Sequence, residues 1–154
     1  MSLEKDCIFC KIVRGEIPTN RIYEDKEFLA FLDIKPISKG HTLVIPKHHC
    51  KNLLDFPKSA SEKLAGSENL RFLKAEETDL LELIKKVASA VVKATNADGF
   101  NLGMNNGKAA GQVIHHAHFH IIPRFDNDGL HNWPNKDTSK EELEQVQKKI
   151  VSFL

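Results

Sequence analysis

Histidines at positions 116, 118 and 120 alternate with Ala117, Phe119 and Ile121 in the stretch between Gly111 and Arg124. Side chains two apart on a strand share a face. A strand over residues 114–124 therefore puts three imidazoles on one side and an apolar set on the other, with His115 on the apolar side at the strand's start. Three readings fit. A solvated edge strand carrying histidines does nothing in particular. A His-x-His pair on a strand places two imidazoles well for zinc. A neutral imidazole can also attack phosphorus, while its neighbours orient it and protonate the leaving group. Free imidazole titrates near pH ~6.5, so a neutral nucleophile and a cationic neighbour can coexist close to neutrality.

The segment just before the histidines favours phosphate chemistry. Asn105, Asn106, Gly107, Lys108, Ala109, Ala110, Gly111 and Gln112 form a glycine-bounded loop rich in donors. Its glycines allow close backbone approach, and its amides, Asn105 and Gln112 suit phosphate oxygens. The loop lacks the full GxxxxGK[ST] pattern and is no Walker loop. Alone it is an ordinary turn; beside three histidines it supports a phosphate site.

Cys7 and Cys10 form a second constellation. A CxxC pair can be a redox couple, a zinc half-site or two buried thiols. The redox reading expects a thioredoxin-like βαβ context, which is absent. Zinc needs four ligands, and with no second CxxC histidines must complete the set. Cys50 reads as a small hydrophobe.

These residues need elements to hold them. A short helix is predicted over 7–14, ended by Gly15 and Pro18. Strands follow over 21–24 and 28–33, joined by Asp25 and Lys26, and a third over 41–45 is stopped by Pro46. Residues 55–76 read as a loop with one short helix, 61–65. The clearest helix spans 78–95, with Leu80, Leu81, Ile84, Val87, Ala88, Val91 and Val92 on its apolar face and Asn96 and Gly99 as its stop. Strands over 101–105 and 114–124 flank the loop 107–111. Ser139, with Glu142 three positions on, opens a last helix carrying Leu143, Val146 and Ile150 on one side. Strands grouped around one long helix imply an α+β domain with a largely antiparallel sheet.

The bulk figures agree with a single domain, 1–154, with a core over about 5–125 and an extension over 126–154. The chain has 154 residues, 41% hydrophobic and 28% charged, with a formal net charge of +1. That balance argues against nucleic acid or an anionic membrane as partner. No apolar run approaches the ~20 residues needed to span a bilayer. Three cysteines with one close pair point to a reducing, cytoplasmic setting.

His116-Ala-His118-Phe-His120-Ile-Ile resembles the signature of the histidine-triad (HIT) family, His-x-His-x-His followed by two apolar residues. Residues 7–18 are similar to the opening of bacterial and archaeal-type members and of the Hint branch. Residues 31–34 and 40–47 resemble the next two blocks, and 105–124 completes them. The resemblance implies a five-stranded, largely antiparallel sheet with a long central helix, a shorter one and a C-terminal helix. It also implies a homodimer joined through the long helix and the adjoining strand.

The implied reaction is a two-step displacement on a nucleoside phosphoramidate or a dinucleoside-polyphosphate-like substrate. His118 attacks the α-phosphorus to give a nucleotidyl-histidine, which water cleaves. His116 would orient His118 through its carbonyl, and His120 would meet the phosphate and leaving group. His41 matches a fourth histidine at the phosphate, Asn105 and Gln112 phosphate-side donors, and Asp33 the acceptor for the ribose hydroxyls. Phe9, Ile12, Phe31, Ile34 and Leu43 would line the base pocket, although ordinary core is a strong reading for Ile12 and Leu43. No catalytic metal is required, because imidazolium and amide donors can do the stabilising. Val113 departs from the pattern, since many relatives carry Ser or Thr there. His131 to Pro134 resembles a Trp-Pro segment in Hint, at different spacing. Some HIT proteins and the related galactose-1-phosphate uridylyltransferases hold a structural zinc with two cysteines and two histidines. That implies Cys7, Cys10, His49 and His116 here, with His48 competing for the third place. Two other functions stay open: a metal-dependent hydrolase using the triad as ligands, and a nucleotide-binding module without turnover.

Overall fold

The computed structural model describes residues 3–56, 80–130 and 137–154. The expected helix over 61–65, the first residues of the 78–95 helix and the stretch from His131 to Pro134 lie outside them. Helix α1 (Ile8–Val13) leads into strands β1 (Arg21–Glu24), β2 (Phe28–Leu32) and β3 (Thr42–Pro46). Helix α2 (Leu80–Thr95), strands β4 (Gly99–Gly103) and β5 (Phe119–Arg124) and helix α3 (Lys140–Val151) follow. The five strands form one sheet in the order β1-β2-β3-β5-β4, and every neighbouring pair is antiparallel. No described helix is long and apolar enough to cross a membrane.

The period-2 alternation of the central strands divides the core. Phe28, Ala30, Leu32, Val44 and Ile121 face α2 and α3, where they pack with Leu83, Ile84, Val87, Val91, Val146 and Ile150. Leu29, Phe31, Leu43 and Ile45 point to the other face and meet Phe9 and Ile12 of α1. His120 lies opposite Leu43 in the β3–β5 ladder, so the histidine end of β5 opens onto the α1 side.

Local differences from the expected elements have physical causes. The buried stripe of α2 includes Leu83, Ala90 and Ala94, while Leu81 is exposed and Val92 only half-buried. Asn96 alone ends that helix: it adopts φ 54°, and Ala97 N–H closes onto the Val92 carbonyl at 3.1 Å, a left-handed C-terminal cap. Gly99 instead opens β4. Ser139 caps α3 by accepting from Glu142 N–H at 3.1 Å.

The largest difference concerns β5, which begins at Phe119 rather than at 114. Its pairing with β3 ends at Val44 opposite Phe119, and two residues further along β3 stands Pro46, which has no N–H to extend the ladder. Ala117 N–H turns to the Cys50 carbonyl at 2.7 Å, and His116 N–H folds back onto Ile114 at 2.9 Å. His116 thus sits at a bend and His118 on the lead-in to the strand rather than within it.

Candidate functional site

Although the strand starts late, the three imidazoles still form a row. The Phe9 ring stands edge-on to both His116 (5.8 Å) and His118 (5.3 Å), and His118 lies 5.0 Å from His120 between ring centroids. Ala117 and Ile121, on the alternate side, are fully buried.

Each ring's bonds define where its proton sits. His118 Nδ1 lies 2.6 Å from the His116 carbonyl, which can only accept, so Nδ1 carries the hydrogen and Nε2 the lone pair. Burial lowers the basicity of His118, against the opposing pull of the His116 carbonyl and Asp33. The result is a neutral imidazole with a defined tautomer.

His41 Nδ1 accepts the Ile37 N–H at 3.3 Å, so its hydrogen is on Nε2, which reaches His120 Nδ1 at 2.9 Å. His120 then carries its own hydrogen on Nε2. The Asp33 carboxylate lies 3.5 Å from His41 Nδ1, beyond hydrogen-bond range and longer than the Ile37 contact. Burial, with His120 and His118 nearby, holds His41 down to about 3, and burial with His118 holds His120 down to about 4. Asp33 is raised by burial, against an N–H from Lys35.

Asp33, His41 and His120 could be taken for a metal group by proximity. Two imidazoles on one tetrahedral ion, with bonds of about 2.05 Å, keep their nitrogens about 3.3 Å apart. The 2.9 Å contact between His41 and His120 is instead a hydrogen bond, in which one nitrogen's lone pair faces the other's proton.

Gln112 is buried, and its polar atoms organise the loop itself. Its NH2 group donates to the carbonyls of Lys51 (2.6 Å) and Ile114 (2.9 Å), and its Oε1 accepts from Gly107 N–H (2.7 Å). Gln112, expected as a phosphate-side donor, has both side-chain hydrogens donated within the fold here. Gly107 and Gly111 take φ of 85° and 83° around the turn Lys108–Ala110, a path that favours glycine. Asn105 is half-buried and makes only a long 3.4 Å contact to the Gly111 carbonyl. Phe9, Ile12, Phe31 and Leu43 pack into one cluster with Leu29 and Ile45. Ile34 stands apart from it, 68% exposed, and Val113 is 88% exposed.

A second cluster lies on the far side of His116. Cys7, Cys10, His49 and His116 bring their ligand atoms within 4.8 Å of one another. Cys7 Sγ and Cys10 Sγ lie 3.4 and 3.6 Å from His116 Nδ1, and Cys10 Sγ lies 3.4 Å from His49 Nδ1. A tetrahedral zinc with bonds of about 2.3 Å to sulfur and 2.05 Å to nitrogen sets those atoms about 3.6 Å apart. His116 donates Nε2–H to the Pro46 carbonyl at 2.9 Å, which leaves its Nδ1 lone pair toward the sulfurs. Burial holds His116 down to about 4, as a neutral ligand must be. Burial pushes the Cys10 thiol up to about 11, with Cys7 adding to the rise against an N–H from Glu4. A divalent cation would reverse that cost by taking both thiolates. The four residues fit zinc. His48 is elsewhere, edge-on to Phe56 at 6.0 Å. The Pro46 carbonyl was not legible as a site group, because only the late start of β5 frees it for a side chain.

Known proteins share this chain's sequence and fold. The family model described as the HIT domain matches residues 14–127. Adenylylsulfatase HINT3 of Arabidopsis thaliana is 42% identical over 92% of the chain, which spans 63% of that longer protein. Adenosine 5'-monophosphoramidase HNT1 of Saccharomyces cerevisiae is 37% identical, over 99% of the chain and 85% of the yeast protein. Among solved structures, a Zn-bound histidine triad family protein from Mycobacterium smegmatis superposes with a TM-score of 0.71 and 34% identity, covering 96% of this chain and 94% of that one. With its sheet order, its row of imidazoles and a family match across most of its length, the chain belongs to the HIT family.

Proposed function

We propose that this chain is a nucleotide hydrolase or nucleotidyltransferase that cleaves at the α-phosphate through a nucleotidyl-histidine on His118. One observation carries the reading: Nδ1–H of His118 is tied to the His116 carbonyl at 2.6 Å, which directs the Nε2 lone pair outward from a buried, neutral ring. In the first step that lone pair forms a bond to the α-phosphorus as the bond to the leaving group breaks. The developing charge on the leaving group meets the Nε2–H of His120, whose tautomer His41 sets, and the leaving group departs with a proton taken from solvent. In the second step water attacks phosphorus, the phosphorus–nitrogen bond breaks to return a neutral His118, and the water proton passes to solvent. A protein nucleophile thus divides one hard displacement into two easier ones. Within the turn 107–111 the N–H groups of Gly107, Ala110 and Gly111 are given to internal acceptors, so those of Lys108 and Ala109 would meet the equatorial oxygens, where the charge accumulates. Asp33 would accept from the ribose hydroxyls, and Ile34 and the Phe9–Phe31 edge would meet the base.

The relatives' names support an adenylyl group bonded to an amine or sulfate as substrate class, and dinucleoside polyphosphates form the second class to assay. We further propose a structural zinc on Cys7, Cys10, His49 and His116, a homodimer and a cytoplasmic setting. The zinc would supply fixed charge that holds His116, and through its carbonyl His118. Phe100 and Leu102 on edge strand β4 and Leu81 on α2 are exposed apolar side chains that a dimer would cover.

The test is chemical. Mixing the protein with a radiolabelled adenosine phosphoramidate and quenching within milliseconds should trap an acid-labile adduct, absent from His118→Ala. Turnover retained in that variant would refute the mechanism, and tight nucleotide binding without turnover across a broad panel would favour a binding module instead.

A further inference from the structure

Two groups of Glu4 face the metal cluster, and a third ties its segment to Arg14. Its backbone N–H is directed at Cys10 sulfur, its carbonyl receives Arg14 Nη1 at 3.4 Å, and its carboxylate Oε1 lies 3.6 Å from His49 Nε2. That His49 nitrogen is fully buried and has no hydrogen-bond partner among the described residues. Because His49 Nδ1 faces Cys10, Nε2 must carry the ring's hydrogen. A buried N–H without an acceptor is costly, and metal-bound histidines almost always give their second N–H to a carboxylate, carbonyl or water. His116 meets that need with the Pro46 carbonyl. His49 has a carboxylate less than an ångström beyond hydrogen-bond length, on a side chain 61% exposed and so able to turn.

We infer that Glu4 is a positioning residue of the metal site: its carboxylate takes the Nε2–H of His49, fixing that ring's tautomer and aiming its Nδ1 at the ion. The inference rests on the zinc reading above. The segment before α1 thereby becomes part of the site, with Glu4 backbone on one ligand and Glu4 side chain on another.

The experiment measures zinc affinity by competition with a chromogenic chelator, independently of turnover. Glu4→Ala should bind zinc roughly 10–100-fold more weakly than the parent, the usual loss for an outer partner. Glu4→Gln, which keeps an acceptor oxygen, should fall between them. Melting of the metal-free protein should not change, because Glu4 is largely exposed. With 15N-labelled histidine, the His49 Nε2–H resonance of the zinc form should lose its downfield position in Glu4→Ala. Equal affinity in Glu4→Ala and parent, with Cys7→Ser/Cys10→Ser binding no zinc, would overturn the role of Glu4 and leave the zinc site standing. An equal loss in Asp6→Asn, an exposed acid on the same segment, would also overturn it, by showing a diffuse charge effect. A parent that binds no zinc, or a double cysteine variant that binds as the parent does, would remove both.

Discussion

Replacing Gly40 by alanine tests whether the start of β3 is held as tightly as the site requires. Gly40 has φ +87°, and a Cβ added there would lie 2.6 Å from Thr95 Cγ2, 3.4 Å from Pro123 Cγ and 3.6 Å from Val91 Cγ1. The left-handed backbone costs an L side chain about 1–2 kcal/mol. Forcing a methyl into packed surroundings adds about 1–3 kcal/mol, so Gly40→Ala should lose about 2–5 kcal/mol. At about 2–4 °C per kcal/mol for a chain of this size, Tm should fall by about 4–20 °C. Thr95→Ser removes the clashing methyl while its hydroxyl keeps the 2.8 Å bond to the Val91 carbonyl. In the double variant it should recover about 1–2 kcal/mol, the steric share alone. Gly99→Ala places its new methyl where nothing lies within 4 Å, on an ordinary backbone, and should stay within about 0.5 kcal/mol of the parent. Urea denaturation followed by circular dichroism would measure all of these variants. Gly40→Ala matching Gly99→Ala, or no recovery with Thr95→Ser, would refute the packing argument. Activity should fall with stability, because His41 directly follows Gly40 and its ring aligns His120.

Acid should expose the buried imidazoles. His41 is held down to about 3 and His120 to about 4, whereas in the unfolded chain they titrate near ~6.5. Their stabilising contribution is therefore complete above ~6.5 and declines as pH falls toward the folded values, by up to about 1.4 kcal/mol per pH unit for each ring. His41→Asn, which removes the ring facing His120, His118 and Asp33, should flatten the Tm-against-pH slope just below pH ~6.5; an unchanged slope would mean His41 is not held neutral. Stripping metal with a chelator should lower Tm and activity together, and zinc should restore both in the parent but not in Cys7→Ser/Cys10→Ser. Leu102→Glu on the exposed face of β4 should sediment as a monomer, and a dimer persisting in that variant would place the interface elsewhere.

Periodicity made much of the framework legible. The apolar alternation of β2 and β3, the three- and four-residue spacing along α2 and the Ser139 cap of α3 all depend on contacts close in sequence. The start of β5 was not legible, because it depends on Pro46, a residue 73 positions before Phe119 in the chain and two beyond Val44 in the ladder. The exposed turn of Leu81 was hidden for a related reason, since a helix presents several possible stripes and the sheet it meets selects one. Within the site, residue types announced the triad and the CxxC pair, but not the destinations of their hydrogens. Gln112 reads as a phosphate donor in sequence, and only folding shows its amide closing on Lys51 and Ile114. His48 and His49 are chemically equal neighbours, and the backbone turn decides which one meets Cys10.

The late start of β5 is what lets one residue serve two sites. Were residues 116–118 paired in the sheet, the His116 carbonyl would be committed to a ladder bond and the Pro46 carbonyl would have no side chain to receive. At the bend before the strand, the His116 ring reaches the cysteines, its Nε2–H bonds Pro46, and its carbonyl remains free to hold His118 Nδ1–H. The ring's bonds and the carbonyl's bond belong to one residue, so each narrows the freedom left to the other. In the proposed function, metal and phosphate chemistry would be coupled through a single peptide group. A metal site that only stabilised the fold could sit anywhere in the core, whereas the proposed one ends on the residue whose carbonyl orients His118.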